Sequence, residues 1–422
     1  MVILPYPAAV FNSEARGVFF WYNTDMKTTL ALAAIAAAGV VHCAAAPRNY
    51  DVAAYVWPAY QPAPRWAELG IFKKGIGEWQ SVQEAVPKWE GHLQPLKPLW
   101  GYGNEADPQV VARKIDAAVQ AGVNVFIYDW YWYESRPFLE DALNNGFLAA
   151  ENRGKMKFFI MWANHSVVKL WDNKAADKQL DKPIWHGGVG FDEFKKLVAR
   201  WIDRYFRQPN YYRIQGKPVL MIYTVPSFCK GIGGCDAAAK AVDYLRSECV
   251  KAGLGGVHLM VSDHGISVEH VKKLGIDSGT IYNLVHWSNP AGNPEFTKWA
   301  DIAVKRFDAA VKELPYKAYF PHASIGWDNN PRYPPGSVQP AVVGGTPEKF
   351  ERLLRKVKDW SDRNTPAGYP QLITINSWNE WTEGSYLEPD EHFGYGYLEA
   401  VRRVFRPGGK PFPAVGGGAG AK

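Results

Sequence analysis

Residues Pro108 to Asp129 read PQVVARKIDAAVQAGVNVFIYD and carry the pattern that decides the fold. The first part, Pro108 to Ala121, spaces its apolar side chains with the period of an amphipathic helix. The second part, Asn124 to Asp129, is a short apolar run of the kind that forms a buried strand. Because a helix is followed directly by a buried strand, this stretch predicts a βα unit and a parallel sheet.

The same alternation of apolar runs and amphipathic stretches extends along the chain. The predicted strands are Asp51 to Val56, Asn124 to Asp129, Lys157 to Trp162, Pro218 to Tyr223, His258 to Ser262, Gly279 to Asn283, Ala318 to Ala323 and Leu372 to Asn376. The predicted helices are Pro108 to Ala121, Pro137 to Glu151, Phe191 to Phe206, Ala237 to Lys251, Val268 to Leu274, Thr297 to Leu314, Pro347 to Arg363 and Tyr395 to Phe405.

Eight strands and eight helices in strict alternation predict an α/β fold of the TIM-barrel type, a closed (β/α)8 barrel. The main alternative is an open, doubly wound sheet. That fold commonly has a glycine-rich phosphate turn after its first strand, where this chain has Trp57-Pro58-Ala59-Tyr60.

Two long insertions follow the first and third predicted strands, over Gln61 to Asp107 and His165 to Gly190. Both leave the carboxyl end of a strand, and in a barrel that face carries the loops that build the active site. We therefore expect one catalytic domain over residues 47–406, with a substrate cleft formed by these loops. The Gly- and Pro-rich tail from Pro407 to Lys422 is expected to be disordered.

The N-terminal segment has the pattern of an export signal. Met26-Lys27 precedes an apolar run from Leu30 to Val41, and Ala44 and Ala46 are the small residues of a cleavage site. The run is short for a membrane span. We expect a signal peptide over residues 26–46, an upstream start-site artefact over residues 1–25, and a periplasmic or secreted product. The alternative is a buried helix, which requires residues 1–25 to be structured too.

The charge balance gives no sign of a nucleic-acid partner. The chain has 48 basic and 42 acidic residues, a formal charge of +6, and no run of Lys or Arg. No later segment is long and apolar enough for membrane insertion. The expected partner is a carbohydrate substrate, no cofactor is expected, and the sequence leaves the oligomeric state open.

Three cysteines follow the signal segment: Cys229, Cys235 and Cys249. Residues Asp236 to Lys251 have a helical pattern, which places Cys235 and Cys249 about 20 Å apart, too far for a disulfide. The glycine-rich segment between Cys229 and Cys235 is flexible enough to close a small loop. We expect a disulfide between these two residues and a free Cys249. No metal site is expected, because no histidine or acidic cluster accompanies the pair in the sequence.

Aromatic residues are abundant, with 18 Trp, 22 Tyr and 20 Phe, and many stand where the predicted strands end. An aromatic ring covers the C–H face of a sugar while neighbouring polar groups bind its hydroxyls. A single aromatic residue is more often part of a core. As a set at one end of the barrel, these side chains and their polar neighbours are expected to bind substrate: Tyr55, Trp57, Asp129, Trp130, Trp132, Trp162, Asn164, His286, Trp327, Asp328, Asn329, Asn376, Trp378, Asn379, Trp381, Tyr386 and Glu388.

The sharpest feature is INSWNEWTEG, from Ile375 to Gly384, which runs off the eighth predicted strand and carries Glu380 and Glu383. Glycosidic cleavage needs a protonated carboxyl for the leaving oxygen and an ionised carboxylate on the attacking side. The two tryptophans of the motif would raise the pKa of one carboxyl, and its second asparagine would keep the other ionised. The alternative, two solvated glutamates in a surface loop, fits poorly between two tryptophans.

Several motifs resemble those of WbsX-type, glycoside hydrolase family 99-like proteins. The string Asn379 to Gly384, followed by Tyr386 to Asp390 and Tyr395 to Ala400, resembles their C-terminal signature. Earlier segments resemble the same family in order and spacing, namely Met161 to Asn164, Leu170 to Asp172, Gly216 to Tyr223 and Gly326 to Arg332. The resemblance covers the chain from about Asp51 to Phe405.

The resemblance implies a (β/α)8 barrel and, by analogy with the family 99 endo-α-mannosidases, retaining cleavage by the substrate's own 2-hydroxyl. Glu380 would deprotonate that hydroxyl as a 1,2-anhydro sugar forms, and Glu383 would protonate the leaving group and then activate water. After the third strand this chain has Ala163-Asn164-His165, where the mannosidases carry a carboxylate-bearing turn. The resemblance therefore does not extend to mannose as the sugar.

We expect an exported glycoside hydrolase that cleaves α-linked glycans. One alternative is a glycosyltransferase of the WbsX type that acts in cell-surface polysaccharide synthesis. Export disfavours it, because sugar nucleotides are cytoplasmic, and the sequence has neither a phosphate-binding glycine turn nor a metal-binding Asp-x-Asp pair. A second alternative is a catalytically inactive sugar-binding barrel, which the presence of both glutamates disfavours. The sugar, its linkage and endo or exo action are left open.

Overall fold

Eight parallel strands form the wall of a barrel. A computed structural model describes residues 49–168 and 183–414, and these residues belong to one compact unit that begins at Asn49. The strands are β1 Tyr50–Val56, β2 Val125–Tyr133, β3 Lys157–Trp162, β4 Lys217–Ile222, β5 His258–Ser262, β6 Ser278–Thr280, β7 with the two segments Ala318–Tyr319 and His322–Ser324, and β8 Gln371–Asn376.

Neighbouring strands pair in chain order, and β8 pairs in parallel with β1. The two segments of β7 are separated at Phe320 and Pro321. The first segment pairs with β6 and the second with β8, so the barrel closes through one stretch of chain. This closure confirms the predicted (β/α)8 barrel. All nine residues of β2 are buried, as expected for a parallel strand that is covered on both faces.

Helices surround the barrel and also occupy the loops at its carboxyl face. They are α1 Pro64–Glu68, α2 Trp79–Glu84, α3 Pro108–Ala121, α4 Phe191–Trp201, α5 Val225–Ile232, α6 Cys235–Lys251, α7 Val268–Leu274, α8 Phe296–Val304, α9 Arg306–Glu313, α10 Pro347–Asn364 and α11 Gly396–Phe405. Helix α3 begins and ends where the sequence predicts. Asp107 caps its first turn, and Gly122 ends it in a left-handed conformation that favours glycine.

Three predicted elements differ from the structure. The helix expected over Pro137 to Glu151 is wrong, because β2 continues to Tyr133 and turns into a short antiparallel strand, Arg136–Phe138. Only a π-helical turn, Ala142–Phe147, follows it. The helix expected over Thr297 to Leu314 is two helices, α8 and α9. The sixth strand, expected over Gly279 to Asn283, is Ser278–Thr280 and ends three residues earlier. The long insertion after β1 contains the two short helices α1 and α2.

Some predictions fall on residues that the structure does not describe. The signal peptide lies entirely outside the described ranges, as do residues 169–182 of the second long insertion. The tail differs from its expected disorder over residues 407–414, because the Phe412 N–H donates to Glu399 (2.6 Å) and its ring stacks on Tyr395. No helix within residues 49–168 and 183–414 is long and apolar enough to cross a membrane.

Candidate active site

The chain after β8 folds into a small hairpin that presents Glu380 and Glu383. Residues Asn379–Glu380 pair with Ser385–Tyr386 in antiparallel fashion. The Ser377 hydroxyl donates to the Ser385 carbonyl (2.6 Å) and accepts the Glu380 N–H (2.7 Å). Glu380 is 1% exposed. The hairpin therefore fixes both carboxyls at the carboxyl face of the barrel.

One guanidinium bridges the two carboxyls. Arg332 Nη2 lies 2.6 Å from Glu380 Oε1, and Arg332 Nη1 lies 2.6 Å from Glu383 Oε1. Arg332 Nε also binds Glu78 Oε1 at 2.6 Å. The Trp57 indole N–H donates to the same Glu78, and the guanidinium lies 5.5 Å from the Trp57 ring. Both glutamates of the motif thus share one buried cation.

Two loops hold this cluster in place. Gly77, which precedes Glu78, has a φ of +61°, and a Cβ there would lie 2.1 Å from the Ala59 carbonyl oxygen. Only glycine lets this loop pack against the end of β1. On the other side, the Asp328 N–H donates to the Glu383 carbonyl (2.6 Å), and Asp328 Oδ1 accepts from Asn330 in the turn that carries Arg332.

A tyrosine connects Glu380 to a third carboxyl. The Tyr282 hydroxyl lies 3.1 Å from Asp129 Oδ2 and 3.3 Å from Glu380 Oε2. Asp129 projects from β2 into the barrel, and its Oδ1 is buried without a hydrogen-bond partner among the described residues. Burial raises the pKa of Asp129 well above its usual range.

Burial and nearby charges shift the pKa values of Glu380 and Glu383 in the same direction. Burial raises the pKa of Glu380 well above its usual range, Glu383 adds to the rise, and Arg332 opposes it. Burial also raises the pKa of Glu383, against the opposing charge of Arg332. Both carboxyls therefore bind a proton more tightly than solvated glutamates do. Acid–base catalysis requires one protonated carboxyl as the acid and one ionised carboxylate as the base.

Neutral histidines form the neighbouring wall. The rings of His264 and His286 stack at 4.5 Å, and the Tyr223 hydroxyl lies 3.5 Å from His286 Nε2. Burial lowers the pKa of His286 to about 3 and that of His264 to about 4. The Tyr223 ring packs on Tyr282 at 5.2 Å. This wall therefore offers uncharged hydrogen-bonding groups beside the carboxyls.

Four tryptophans that the sequence assigned to substrate binding face the helices. In β2 the alternation that directs Asp129 inward directs Trp130 and Trp132 outward, where their indoles donate to Glu140 and Glu193. Trp162 packs on residues of α4 and α5, and Trp378 packs on Phe126. These four assignments are corrected, since the side chains belong to the layer between the strands and the helices.

Several other residues predicted to bind substrate contact the residues that form the site. Asn164 binds both the N–H and the carbonyl of Thr224, Asn376 accepts from Asn283, and Tyr55 lies below Tyr282. The remaining supporting side chains pack or bond around the hairpin, namely Asn379, Trp381, Tyr386 and Glu388. Trp327 and Asp328, with Asn329 next to them, lie on the loop after β7. Trp327, Asp328 and Tyr386 line a cavity of about 200 Å³.

Sequence reasoning missed most of the polar cluster. Glu78 and Tyr282 stand in no motif, and Arg332 was noted only as the last residue of a family-like segment. His92 was also missed, although its Nε2 lies 2.7 Å from Asp328 Oδ2. The usable signal was position, since Tyr282 stands at the carboxyl end of the sixth predicted strand and Arg332 follows the seventh.

The cysteine pair lies in a different part of the fold. Cys229 and Cys235 are thiols whose sulfurs are 3.3 Å apart, and Cys249 is buried. The disulfide stays a prediction. The fold brings His270 to the pair, with all three ligand atoms within 4.8 Å of one another, a neighbour that the sequence spacing did not indicate.

Comparisons with known proteins place the chain in a family. The model of the family described as "Glycosyltransferase WbsX" matches residues 52–401. The uncharacterized protein WxcX from two strains of Xanthomonas campestris pv. campestris is 26% identical in an alignment 366 residues long that covers 83% of this chain and 49% of that protein. This chain therefore spans about half the length of the curated relatives it matches.

Solved structures share the barrel. The family 99 endo-α-mannosidase from Bacteroides thetaiotaomicron aligns with a TM-score of 0.53 and 14% identity, over 84% of this chain and 95% of that one. A glycoside hydrolase-like protein aligns with a TM-score of 0.56 and 14% identity, over 85% and 94%. At this identity the likeness establishes the fold. The family match over residues 52–401 shows that the protein belongs to the WbsX glycosyltransferase family.

Proposed function

We propose that the protein is a retaining glycoside hydrolase of α-linked glycans, with Glu380 as base and Glu383 as acid. The observation that carries the proposal is the buried carboxyl pair around Arg332. Glu383 Oε2 is buried and has no hydrogen-bond partner in the described part of the chain, so it is free to hold a proton toward a leaving oxygen. Both carboxyls accept from Arg332, and Glu380 alone also lies within reach of the Tyr282 hydroxyl, so we assign it the role of base on that contact.

The proposed reaction has two steps. Glu380 takes the proton of the 2-hydroxyl, O2 attacks the anomeric carbon, and the glycosidic bond breaks as Glu383 gives its proton to the leaving oxygen. In the second step Glu383 takes a proton from water, and the water oxygen attacks the anomeric carbon. The bond from that carbon to O2 breaks, and O2 recovers its proton from Glu380. Both carboxyls return to their starting states.

Sugar transfer from a nucleotide donor is the second candidate, because the matching family carries a transferase description. Such donors need a site for a diphosphate, commonly a glycine-rich turn at a helix N-terminus. The turn after β1, residues 57–60, is buried and carries no glycine. We therefore favour hydrolysis.

We also infer that the protein is exported, on the signal-like sequence of residues 26–46. In an oxidising compartment the Cys229 and Cys235 thiols would form the expected disulfide. Mass spectrometry of secreted protein tests the inference. A mature N-terminus after Ala46 supports it, whereas one well upstream of Cys43 contradicts it.

The reaction route is tested with the first product of an α-linked glycan. Proton NMR should show the α-anomer before mutarotation, because two inversions retain the configuration. A substrate that lacks the 2-hydroxyl should bind without reacting. A β-anomer as first product would contradict retention, and cleavage of the 2-deoxy substrate would indicate a carboxylate nucleophile instead.

A further inference from the structure

Arg332 uses nearly all of its hydrogen-bonding capacity on carboxylates. Its Nε binds Glu78, its Nη1 binds Glu383, and its Nη2 binds both Glu380 and Glu78. Four of its five N–H groups are therefore engaged. A guanidinium matched in this way is poorly suited to bind an anionic group of a substrate. Its contacts are all with groups of the protein.

Glu78 is the counter-charge that is not part of the catalytic pair. It is fully buried, and it accepts from Arg332 and from the Trp57 indole. Its Oε1 accepts from Arg332 Nε, and its Oε2 accepts from Arg332 Nη2 and from the Trp57 indole N–H. Glu78 therefore shares the Arg332 guanidinium with the catalytic pair and weakens its electrostatic effect on Glu380 and Glu383.

We propose that Arg332 and Glu78 are positioning residues that together set the proton affinity of the Glu380–Glu383 pair and decide which carboxyl oxygens face the substrate. This proposal rests on the proposed function of that pair. Arg332 occupies Oε1 of each carboxyl, which leaves Oε2 of Glu383 free and Oε2 of Glu380 near Tyr282. The two Oε2 atoms are thus assigned as the working atoms.

Arg332 and Glu78 have opposite effects on the pKa of the carboxyl pair. Arg332 lowers the pKa of both carboxyls against the larger effect of burial, whereas Glu78 raises both. Loss of the cation should therefore raise the pKa of the pair, and loss of the Glu78 charge should lower it. The other titratable groups that face the pair stay in place in both cases: Asp129, Tyr60, Tyr131, Tyr223, Tyr282 and His165.

The test compares the pH dependence of kcat/KM in Arg332→Gln and Glu78→Gln. The profile of Arg332→Gln should move to higher pH, and that of Glu78→Gln to lower pH. Arg332→Lys keeps the positive charge but loses the planar guanidinium that binds both carboxyls at once. Its pH profile of kcat/KM should therefore stay near that of the wild type, while kcat falls about 10- to 100-fold. General damage to the fold has no reason to move two profiles in opposite directions.

A matched control exists on the helical side of the barrel. There Glu140 accepts from the Trp130 indole (2.7 Å) and from Arg200 Nε (2.8 Å), which repeats the Trp57–Glu78–Arg332 arrangement away from the site. Arg200→Gln should lower the free energy of unfolding and leave the pH profile unchanged. Urea unfolding of every variant identifies any that fail to fold. If Arg332→Gln does not fold, Arg332→Lys still tests whether the positive charge alone keeps the pH profile in place.

A second readout does not depend on catalysis. Carbon-13 NMR of labelled glutamate, with Glu380→Gln and Glu383→Gln to assign the signals, follows the titration of the pair directly. The same opposite shifts are expected in Arg332→Gln and Glu78→Gln even if the protein proves not to be a hydrolase. Shifts in the same direction, or none in folded variants, would overturn the proposal.

Discussion

The side-chain amide of Asn379 pairs with the backbone of Trp57 as a neighbouring strand would. Asn379 Oδ1 accepts the Trp57 N–H at 2.8 Å, and Asn379 Nδ2 donates to the Trp57 carbonyl at 2.9 Å. Both groups are buried. The contact joins the ends of the first and last barrel strands, and it lies next to Glu380. It therefore couples the closure of the barrel to the placement of a proposed catalytic group.

Asn379→Ala should cost about 1–3 kcal/mol of unfolding free energy, because it removes two buried hydrogen bonds to the backbone of Trp57. Urea unfolding measures this cost. Asn145→Ala is the control, since Asn145 bonds Asp141 at the surface, and its change should stay within about 0.5 kcal/mol. Equal costs for the two variants would show that the Trp57 contact contributes nothing.

Glu380→Gln and Glu383→Gln should each lower kcat by about 10²- to 10⁴-fold, because each removes an ionisable group and keeps the shape of the side chain. A substrate with a good leaving group needs little protonation, so it should restore much of the activity of Glu383→Gln and none of that of Glu380→Gln. If both variants turn over substrate at nearly the wild-type rate, Asp129 becomes the next carboxyl to replace.

Lys114→Met should lower the free energy of unfolding by about 3–5 kcal/mol. Lys114 is buried between Glu105 and Glu388, at 2.6 Å from the latter, and its loss leaves two buried carboxylates without a cation. Burial already raises the pKa of Glu105. Lys155→Met, at an exposed pair with Asp116, should cost about 1 kcal/mol or less in the same urea experiment.

Trp162→Ala should cost about 3–5 kcal/mol of unfolding free energy, because the ring fills the layer between β3 and helices α4 and α5. Its KM should stay close to the wild-type value. Trp57→Phe should change KM, since it removes the indole donor to Glu78 beside the carboxyl pair and leaves most of the ring in place. If Trp162→Ala changed KM strongly and left the free energy of unfolding unchanged, the Trp162 ring would instead contact substrate.

The barrel was predictable because each strand is a local apolar run. Each of the eight strands overlaps its predicted range; β3 and β5 agree to the residue, whereas β6 shares only Gly279 and Thr280 with its prediction. The failures come from contacts that the local pattern does not contain. The segment after β2 has helix-forming residues, yet its pairing with the strand end extends a hairpin to Phe138. Tertiary contacts override helix propensity there.

Only the part of the candidate site that lies within one short sequence motif was predictable. Glu380 and Glu383 stand three residues apart in a single motif, whereas Glu78, Tyr282 and Arg332 come from three distant loops that only the fold unites. The tryptophan errors were avoidable. Two-residue alternation along β2 places Asp129 and Trp130 on opposite faces, so both could not line the cleft.

Hydrolysis at the Glu380–Glu383 pair places an oxygen from water on the product, and product analysis in isotopically labelled water detects that oxygen. The purified protein is incubated with α-linked glycans, and the new reducing ends are examined by mass spectrometry. We predict reducing sugars with one labelled oxygen at the anomeric carbon, and their loss in Glu380→Gln and Glu383→Gln. Glycan extension from a sugar nucleotide, with no labelled reducing end, would contradict the account.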